Sequence, residues 1–278
     1  MTKKLTIKDI TRMKKAGEKI TMLTAYDASF ARLLDSVGVD VLLVGDSLGM
    51  VLLGYESTVP VSMDEMIHHA SAVKRGTQNA LLVGDMPFMS YQVSIEEAVR
   101  NGGRFLKEAG CDAVKLEGGI EVCETVQALV RAGISVMGHI GLTPQTAGQL
   151  GGYRVQGKDA KSARKLLADA RALEKAGAFG VVLECIPDSL AGLITESLTI
   201  PTIGIGAGVN CDGQVLVIHD LLGMFDIVPS FVKKYANLAP QMKEAVTSFM
   251  EEVRSGQYPD DEHSFSMKVD AETLLAKK

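Results

Sequence analysis

The sequence predicts a single (β/α)8 barrel, and three observations support this fold class. The chain has 278 residues, 46% of them hydrophobic, which is enough for one large α/β core. Short, continuously apolar runs alternate with longer segments of helical period, as in parallel sheets buried on both faces. Seven strand–helix units are visible and an eighth is expected, within the roughly 250 residues typical of such barrels. A doubly wound sheet is the alternative, but no GxGxxG follows the first strand.

The first seven predicted strands are the apolar runs at 20–26, 39–45, 80–84, 113–117, 134–139, 180–184 and 201–206. The predicted helices between them lie at 28–37, 62–75, 94–109, 120–132, 159–176 and 188–197. Ser62 with Glu65, and Ser94 with Glu97, have the spacing of capping boxes that open two of these helices. Three helices are expected to end at glycine, in the Ala-Gly pairs at 109–110, 132–133 and 176–177.

The eighth unit can be read in two ways. We favour a helix at 213–223, a last strand at 230–235 and a final helix at 239–255. The competing interpretation places the strand at 214–219, QVLVIH. Outside the repeating pattern, residues 1–17 are predicted to form a short helix that closes the bottom of the barrel.

The predicted domain organisation is one catalytic barrel domain, 1–256, followed by a polar C-terminal tail. This tail, 257–278, is charged and is expected to be ordered only in part.

Composition excludes several classes of function. The net charge is −5 and basic residues form no stripe, so we expect no nucleic-acid partner. The four cysteines form no CxxC pair, which is typical of reduced thiols in the cytoplasm and not of a zinc site or disulfide framework. No run approaches the roughly 18 apolar residues of a membrane span, and the N-terminus lacks an apolar signal region. We therefore expect a soluble, cytoplasmic protein with no membrane partner.

Acidic residues follow the predicted strands where a barrel carries its active site, at the carboxyl ends. A single acid there usually caps the next helix, and this is our interpretation of Asp27. Asp46, Asp85 and Glu117, however, end three neighbouring strands, and clustered carboxylates repel unless a cation or a shared proton relieves them. Their oxygen donors favour a hard ion such as Mg²⁺.

Further ionisable residues lie on the later strands. Lys115 and Glu117 are two residues apart and share a face of their strand. Lys115 could be a Schiff-base nucleophile, an anion clamp or a salt-bridge partner, and the residues alone leave all three open. His139 ends strand 5. Glu184 follows an apolar run, which favours a raised pKa and the role of a base that removes a carbon-bound proton; its alternative is an ion pair with a loop residue. The long loop at 143–158 is either a lid or a contact between subunits.

Nine motifs, in order, carry a resemblance that covers about residues 5 to 256. They are TAYDA (24–28), VGDSLGM (44–50), GDMPF (84–88), VKLEGG (114–119), GHIGLTPQ (138–145), GGYRVQG (151–157), VLECIP (182–187), TIGIGAG (202–208) and HDLLG (219–223). Together they resemble the ketopantoate hydroxymethyltransferase family. This resemblance implies a barrel of the phosphoenolpyruvate mutase/isocitrate lyase type.

The resemblance also implies a reaction. The hydroxymethyl group of 5,10-methylenetetrahydrofolate would be transferred to 3-methyl-2-oxobutanoate (alpha-ketoisovalerate) through a Mg²⁺-stabilised enolate. The products would be 2-dehydropantoate (ketopantoate) and tetrahydrofolate, on the route to pantothenate and coenzyme A. It further implies one Mg²⁺ per subunit and a homodecamer.

Residue roles are carried over by motif. The resemblance implies that Asp46 and Asp85 bind the metal directly and that Glu117 contacts it through water. It implies that the substrate-binding residues are Asp46, Ser47, Asp85, Lys115 and His139. It favours the anion clamp for Lys115, gives Glu184 the role of proton acceptor, and leaves the exact role of His139 unassigned.

Two other functions remain as alternatives. A carbon–carbon lyase or mutase acting on an oxo acid would use the same metal chemistry, but such enzymes carry a cysteine-bearing catalytic loop and GYRVQG supplies none. An inactive barrel that only binds an oxo acid is disfavoured, because the candidate site residues are all present: Asp46, Asp85, Lys115, Glu117 and Glu184.

Overall fold

A computed structural model describes residues 3–268 of the chain. Eight parallel strands close into a barrel in chain order, and the last strand pairs with the first. The strands are β1 Ile20–Thr24, β2 Val41–Val44, β3 Leu81–Asp85, β4 Ala113–Lys115, β5 Val136–Gly141, β6 Gly180–Glu184, β7 Thr202–Ile205 and β8 Gly213–Leu216. The prediction of a (β/α)8 barrel is confirmed.

Helices connect the strands along the chain. They are α1 Ile7–Ala16, α2 Ala28–Ser36, α3 Leu48–Val51, α4 Met63–Gly76, α5 Ile95–Lys107, α6 Cys123–Arg131, α7 Ala160–Ala176, α8 Asp188–Ser197, α9 Ile218–Leu221 and α10 Leu238–Ser255. Three short 3-10 turns occur at Ile120–Val122, Pro144–Thr146 and Asp261–His263.

The chain forms two compact units. The first, through His219 and including 229–232, contains the whole barrel. Within the described residues, the second comprises 220–228 and 233–268 and contains α10. The boundary between a barrel domain at 1–256 and a tail at 257–278 stays a prediction. The part of that tail beyond 268 lies outside the described residues.

The predicted caps open their helices, but the predicted capping box of α5 is only half formed: Ser94 accepts the backbone N–H of Glu97 at 3.1 Å, without the reciprocal bond from the Glu97 side chain. Asp27 caps α2, since its carboxylate accepts the backbone N–H groups of Ser29 and Phe30 at 2.7 and 2.9 Å. Ser62 and Glu65 form the predicted capping box at the start of α4.

The interior of the barrel is a continuous apolar core that α1 closes from below. The core joins side chains from all eight strands, and the fully buried Ile10 of α1 belongs to it. Helix α1 also lies against the starts of the strands: the Lys14 ammonium is 2.8 Å from the Asp212 carboxylate, which directly precedes β8. The prediction that the leading helix closes the barrel bottom is confirmed.

The favoured position of the eighth strand is wrong. The strand is Gly213–Leu216, close to the competing interpretation at 214–219, and residues 230–235 form no strand. Nor is 213–223 a continuous helix, because helix begins only at Ile218. Glycine explains the placement: a Cβ at Gly213 would lie 2.4 Å from the carbonyl oxygen of Ile20, so only glycine permits the close pairing of β8 with β1.

Candidate active site

At the mouth of the barrel, where the carboxyl ends of the strands lie, the inward-facing side chains change from apolar core residues to a cluster of polar residues. On four adjacent strands, an ionisable residue lies two positions beyond a buried core residue and therefore on the same face. These pairs are Val83 and Asp85 on β3, Ala113 and Lys115 on β4, Met137 and His139 on β5, and Val182 and Glu184 on β6. The structure therefore brings together the site residues that the sequence predicts on these strands.

Asp85 and Lys115 form a buried ion pair at the centre of this cluster. They are register partners on β3 and β4, and Asp85 Oδ1 lies 2.8 Å from Lys115 Nζ. Burial raises the pKa of Asp85 to about 7, although the Lys115 charge acts in the opposite direction. Burial would lower the pKa of Lys115, but the carboxylates of Asp85, Glu117 and Asp46 outweigh it and raise that pKa. Lys115 is therefore a cation throughout the physiological range.

His139 lies between the lysine and the last acid of the cluster. Burial and the neighbouring Lys115 charge hold the pKa of His139 well below its usual value, so the imidazole is neutral. The Lys115 ammonium, 3.1 Å from Nδ1, can only donate, so Nδ1 accepts and the proton resides on Nε2. Nε2 lies 3.1 Å from Glu184 Oε2, although not in the alignment of a hydrogen bond.

Glu184 has the environment of a general base. Burial raises its pKa to about 7, against the opposing influence of Lys115. Its side chain keeps 14% of its surface exposed, so it is desolvated and still accessible to a small molecule in the mouth. A carboxyl with a pKa near the working pH accepts a proton most effectively, because it is both ionised and basic.

Two local features fix the backbone at Glu184. Gly141, at the end of β5, has φ +99, and a Cβ there would lie 2.2 Å from the Glu184 carbonyl oxygen. Cys185, the next residue after Glu184, has φ 47, a left-handed conformation that is uncommon outside glycine. Its backbone is held by hydrogen bonds to Ile205 and from Gln156, at 2.9 and 2.8 Å. Glu184 therefore lies on a constrained turn.

Asp46 and Ser47 complete the mouth from β2. The Asp46 backbone N–H donates to Asp85 Oδ2 at 3.2 Å, which brings the second carboxylate beside the first. The Ser47 hydroxyl is 2.9 Å from the hydroxyl of Tyr26, which was not among the predicted site residues. Ser47 is half-buried, so a ligand in the mouth can reach its hydroxyl.

Glu117 is almost wholly buried among the other charges of the cluster. Burial raises its pKa well above the usual value, with the Lys115 charge opposing and the Asp46, Asp85 and Glu184 charges adding to the shift. Its Oε1 lies 3.5 Å from His139 Nδ1. Within residues 3–268, Oε1 is a buried oxygen that no hydrogen bond satisfies.

The chemistry of this donor set suits a divalent cation. Three carboxylates, Asp46, Asp85 and Glu117, face one ammonium, so a dication would relieve the charge imbalance. All the donors are oxygens, the type that Mg²⁺ prefers. In the described part of the chain, however, no three acidic, histidine or cysteine side chains are arranged to hold an ion by themselves. The remaining ligands of a bound ion would therefore come from substrate and water.

Gln145 and Tyr91 are site residues that sequence reasoning missed. Both are buried, and the Gln145 side chain donates to Asp46 while its backbone donates to Glu117. Neither residue ends a strand and neither carries a charge, so the pattern of acids at strand ends does not point to them. The motif GHIGLTPQ contains Gln145, but it marked the loop and not the role of this residue.

The loop at 143–158 begins with the turn that carries Gln145. Farther along, burial and the charges of Asp46, Glu184 and Glu117 raise the pKa of Tyr153, so this tyrosine lies within electrostatic reach of the cluster. Tyr153 is 57% exposed. These observations favour the lid interpretation of the loop, which stays a prediction.

Comparison with known proteins gives a consistent result. The family model described as ketopantoate hydroxymethyltransferase matches residues 4–261. The chain is 60% identical over 272 residues to 3-methyl-2-oxobutanoate hydroxymethyltransferase of Desulfotalea psychrophila, covering 98% of both chains. It is 60% identical over 265 residues to the protein of that name from Carboxydothermus hydrogenoformans, covering 95% of this chain and 96% of the relative.

Solved structures share the fold at much lower sequence identity. Phosphoenolpyruvate phosphomutase from Streptomyces platensis subsp. rosaceus has a TM-score of 0.62 at 14% identity, over 98% of this chain and 94% of the other. Phosphonopyruvate hydrolase in complex with oxalate and Mg²⁺ has a TM-score of 0.61 at 14% identity, over 96% and 93%. A 2,3-dimethylmalate lyase of the PEP mutase/isocitrate lyase superfamily gives 0.56, also at 14% identity, over 97% and 93%. The chain therefore shares its barrel fold with these proteins. Among the helices of residues 3–268, none combines the length and apolar composition that a membrane crossing requires.

Proposed function

The chain belongs to the ketopantoate hydroxymethyltransferase family, and on that premise we propose which of its residues carry the reaction. The enzyme transfers a hydroxymethyl group to 3-methyl-2-oxobutanoate and forms ketopantoate. One observation carries the assignment: a carboxyl with a pKa of about 7, Glu184, shares a buried mouth with the neighbouring carboxylates of Asp46 and Asp85. One group can accept a proton there while the other two hold a cation.

Asp46 and Asp85 would hold one Mg²⁺ per subunit, and Glu117 would contact it through water. The support is the excess of buried carboxylate over cationic charge and the unsatisfied Oε1 of Glu117. When bound, the ion supplies positive charge that stabilises the oxyanion formed as the oxo acid loses its C3 proton.

Ser47 and Lys115 would bind the oxo acid. The Ser47 hydroxyl, fixed by Tyr26, can donate to a substrate oxygen, and Lys115 places a positive charge at the centre of the mouth. A Schiff base requires a neutral amine, whereas the raised pKa of Lys115 keeps it protonated. This favours the anion clamp over the nucleophile.

Glu184 would remove the C3 proton of the substrate. Its Oε2 lies 3.1 Å from Nε2 of the neutral His139, which can contact the carboxylate without giving up its own proton. We therefore assign His139 as the residue that positions the base. The proton passes from C3 to the Glu184 carboxylate, and the electron pair remains on the oxo acid.

The one-carbon donor would be 5,10-methylenetetrahydrofolate. A bond forms between substrate C3 and the folate methylene carbon, and both carbon–nitrogen bonds of that methylene break. Water supplies the hydroxyl of the product, and the C3 proton and the second water proton go to the two folate nitrogens, which gives tetrahydrofolate. Closure of the loop at 143–158 over the mouth would exclude bulk water from the earlier steps. The homodecamer is proposed from the family alone, and light scattering of the purified protein tests it.

A product assay tests the proposal. The purified protein is mixed with 3-methyl-2-oxobutanoate and 5,10-methylenetetrahydrofolate, with Mg²⁺ or with excess chelator, and ketopantoate is measured by mass spectrometry. We expect ketopantoate only when all three are present. Full turnover with chelator would refute the metal assignment, and turnover with formaldehyde but not the folate would refute the donor.

A further inference from the structure

We propose that Gln145 is a positioning residue at the mouth of the barrel. Its hydrogen bonds determine which carboxylate oxygens remain available to a divalent cation. The inference rests on the proposed function, since it assigns a role relative to the metal carboxylates. Gln145 belongs to the 3-10 turn Pro144–Thr146 that follows β5 and is only 4% exposed.

Four hydrogen bonds tie this one residue to the site. The side-chain Nε2 donates to Asp46 Oδ2 and to the carbonyl oxygen of Met86, both at 2.9 Å. The backbone N–H donates to Glu117 Oε2 at 3.1 Å. The side-chain Oε1 is 2.7 Å from the hydroxyl of Tyr91. Gln145 therefore links carboxylates that follow two different strands, β2 and β4.

The orientation of the amide follows from these partners. An ionised carboxylate and a peptide carbonyl can only accept, so the NH₂ group must face Asp46 and Met86. Oε1 must then face the Tyr91 hydroxyl, which lies 2.7 Å from it and 3.2 Å from the Glu117 carbonyl oxygen, so the single hydroxyl proton goes to the nearer acceptor, Oε1. The Tyr91 oxygen in turn accepts the backbone N–H of Glu117 at 3.2 Å. Every polar atom of the Gln145 side chain is thus used, which leaves the amide no alternative arrangement.

These hydrogen bonds determine which carboxylate oxygens remain available to a metal ion. Asp46 Oδ2 and Glu117 Oε2 each accept a hydrogen bond from Gln145 and are held by it. Asp46 Oδ1 and Glu117 Oε1 remain, and in the described structure Glu117 Oε1 is one of the buried atoms with no hydrogen-bond partner. A group that fixes one oxygen of each carboxylate also fixes the direction in which the other points. Outer hydrogen-bond partners of this kind typically change metal affinity by about 10- to 100-fold.

The test is Mg²⁺ binding to the full-length protein without substrate, measured by calorimetry. Gln145→Met keeps the size of the side chain and removes its two donors and its acceptor. We expect its dissociation constant for Mg²⁺ to rise about 10- to 100-fold. We also expect activity to recover substantially at high Mg²⁺ concentration, since the variant still binds the ion. A merely structural role would leave Mg²⁺ affinity unchanged and would give a loss of activity that added Mg²⁺ does not restore.

Two further variants complete the design. Tyr91→Phe removes only the hydroxyl that anchors Gln145, and we expect a smaller weakening in the same direction. Thr77→Val is the matched control: it removes a buried hydrogen bond to Val73 at the opposite end of the barrel and should leave Mg²⁺ affinity unchanged. Affinities of Gln145→Met and Tyr91→Phe within twofold of the wild type would overturn the inference. Wild-type protein that binds no Mg²⁺ would instead refute the proposed metal site, and the inference with it.

Discussion

Burial and neighbouring charge decide what each ionisable residue of the mouth can do. Lys115 and Glu184 are both removed from water, yet Lys115 stays charged because carboxylates surround it. For Glu184, burial outweighs the opposing charge of Lys115 and raises the pKa to about 7. The same physical effect therefore yields a fixed cation and a titrating base within one cluster.

The pKa of Glu184 predicts the pH dependence of the reaction. The base must be deprotonated, and its pKa is raised from 4.5 to about 7, so protonation below pH 7 removes activity. We expect the rate at saturating substrate and Mg²⁺ to fall about tenfold per pH unit below pH 6 and to level off above pH 8. Steady-state kinetics from pH 5 to 9 check this. A rate that is flat down to pH 5 would contradict a base with this pKa.

The sequence predicts the charged residues of the site and misses the neutral ones. Asp46, Asp85 and Glu184 were visible because an acid at the end of a buried strand needs an explanation. Gln145 and Tyr91 act through hydrogen bonds to partners 99 and 26 positions away along the chain. Such contacts depend on how the loops fold back over the barrel, which no local pattern specifies.

At the scale of the elements, strand ends and glycines determine where the side chains are held. The sequence predicts seven strands to within a few residues of their observed positions. A short apolar run is unambiguous when the segments on both sides of it have a clear helical period. The eighth was misplaced because QVLVIHDLL suits both helix and strand. Its placement depends on Gly213, whose close approach to Ile20 is a contact between the two ends of the sheet.

Gly141 provides a test of how β5 positions the base. Alanine there combines a φ of +99 with a Cβ 2.2 Å from the Glu184 carbonyl oxygen, so the backbone beneath Glu184 must move. We expect Gly141→Ala to lower the free energy of unfolding by about 3 kcal/mol or more and the turnover rate by up to about 100-fold.

The matched control for this substitution is Gly133→Ala, at φ +84 with no atom within 4 Å of the added Cβ. It should lose only about 1–2 kcal/mol and leave turnover unchanged. Urea denaturation and steady-state kinetics measure both effects. Equal turnover in the two variants would show that Gly141 does not position Glu184.

At the scale of the whole molecule, the residues that stabilise the barrel and the residues proposed to carry the reaction lie in different parts of it. Its interior is apolar from the starts of the strands upward, and polar groups collect at the opposite end. This division was predictable, because parallel strands place all their carboxyl ends at one edge. The final helix is predictable too: the sequence predicts it at 239–255, and the structure has it at Leu238–Ser255.

Substitution of Ile10 tests whether stability at the bottom of the barrel is independent of catalysis at its mouth. This side chain of α1 is fully buried in the bottom of the core. Ile10→Ala should lower the free energy of unfolding by about 2–5 kcal/mol, because it removes buried methyl groups and leaves a cavity. The turnover rate should stay within twofold of the wild type. The exposed Lys8→Ala is the control for changes on the same helix. A large loss of turnover in folded Ile10→Ala would show that bottom and mouth are coupled.

Exchange of the substrate C3 proton tests the central claim, that Glu184 removes this proton at the mouth of the barrel. The measurement is proton NMR of 3-methyl-2-oxobutanoate in heavy water with Mg²⁺ and no folate, using the wild type and Glu184→Gln. The account predicts that the wild type exchanges the C3 proton and that the variant does so about 10²- to 10⁴-fold more slowly while still binding the oxo acid. Undiminished exchange in Glu184→Gln would contradict it.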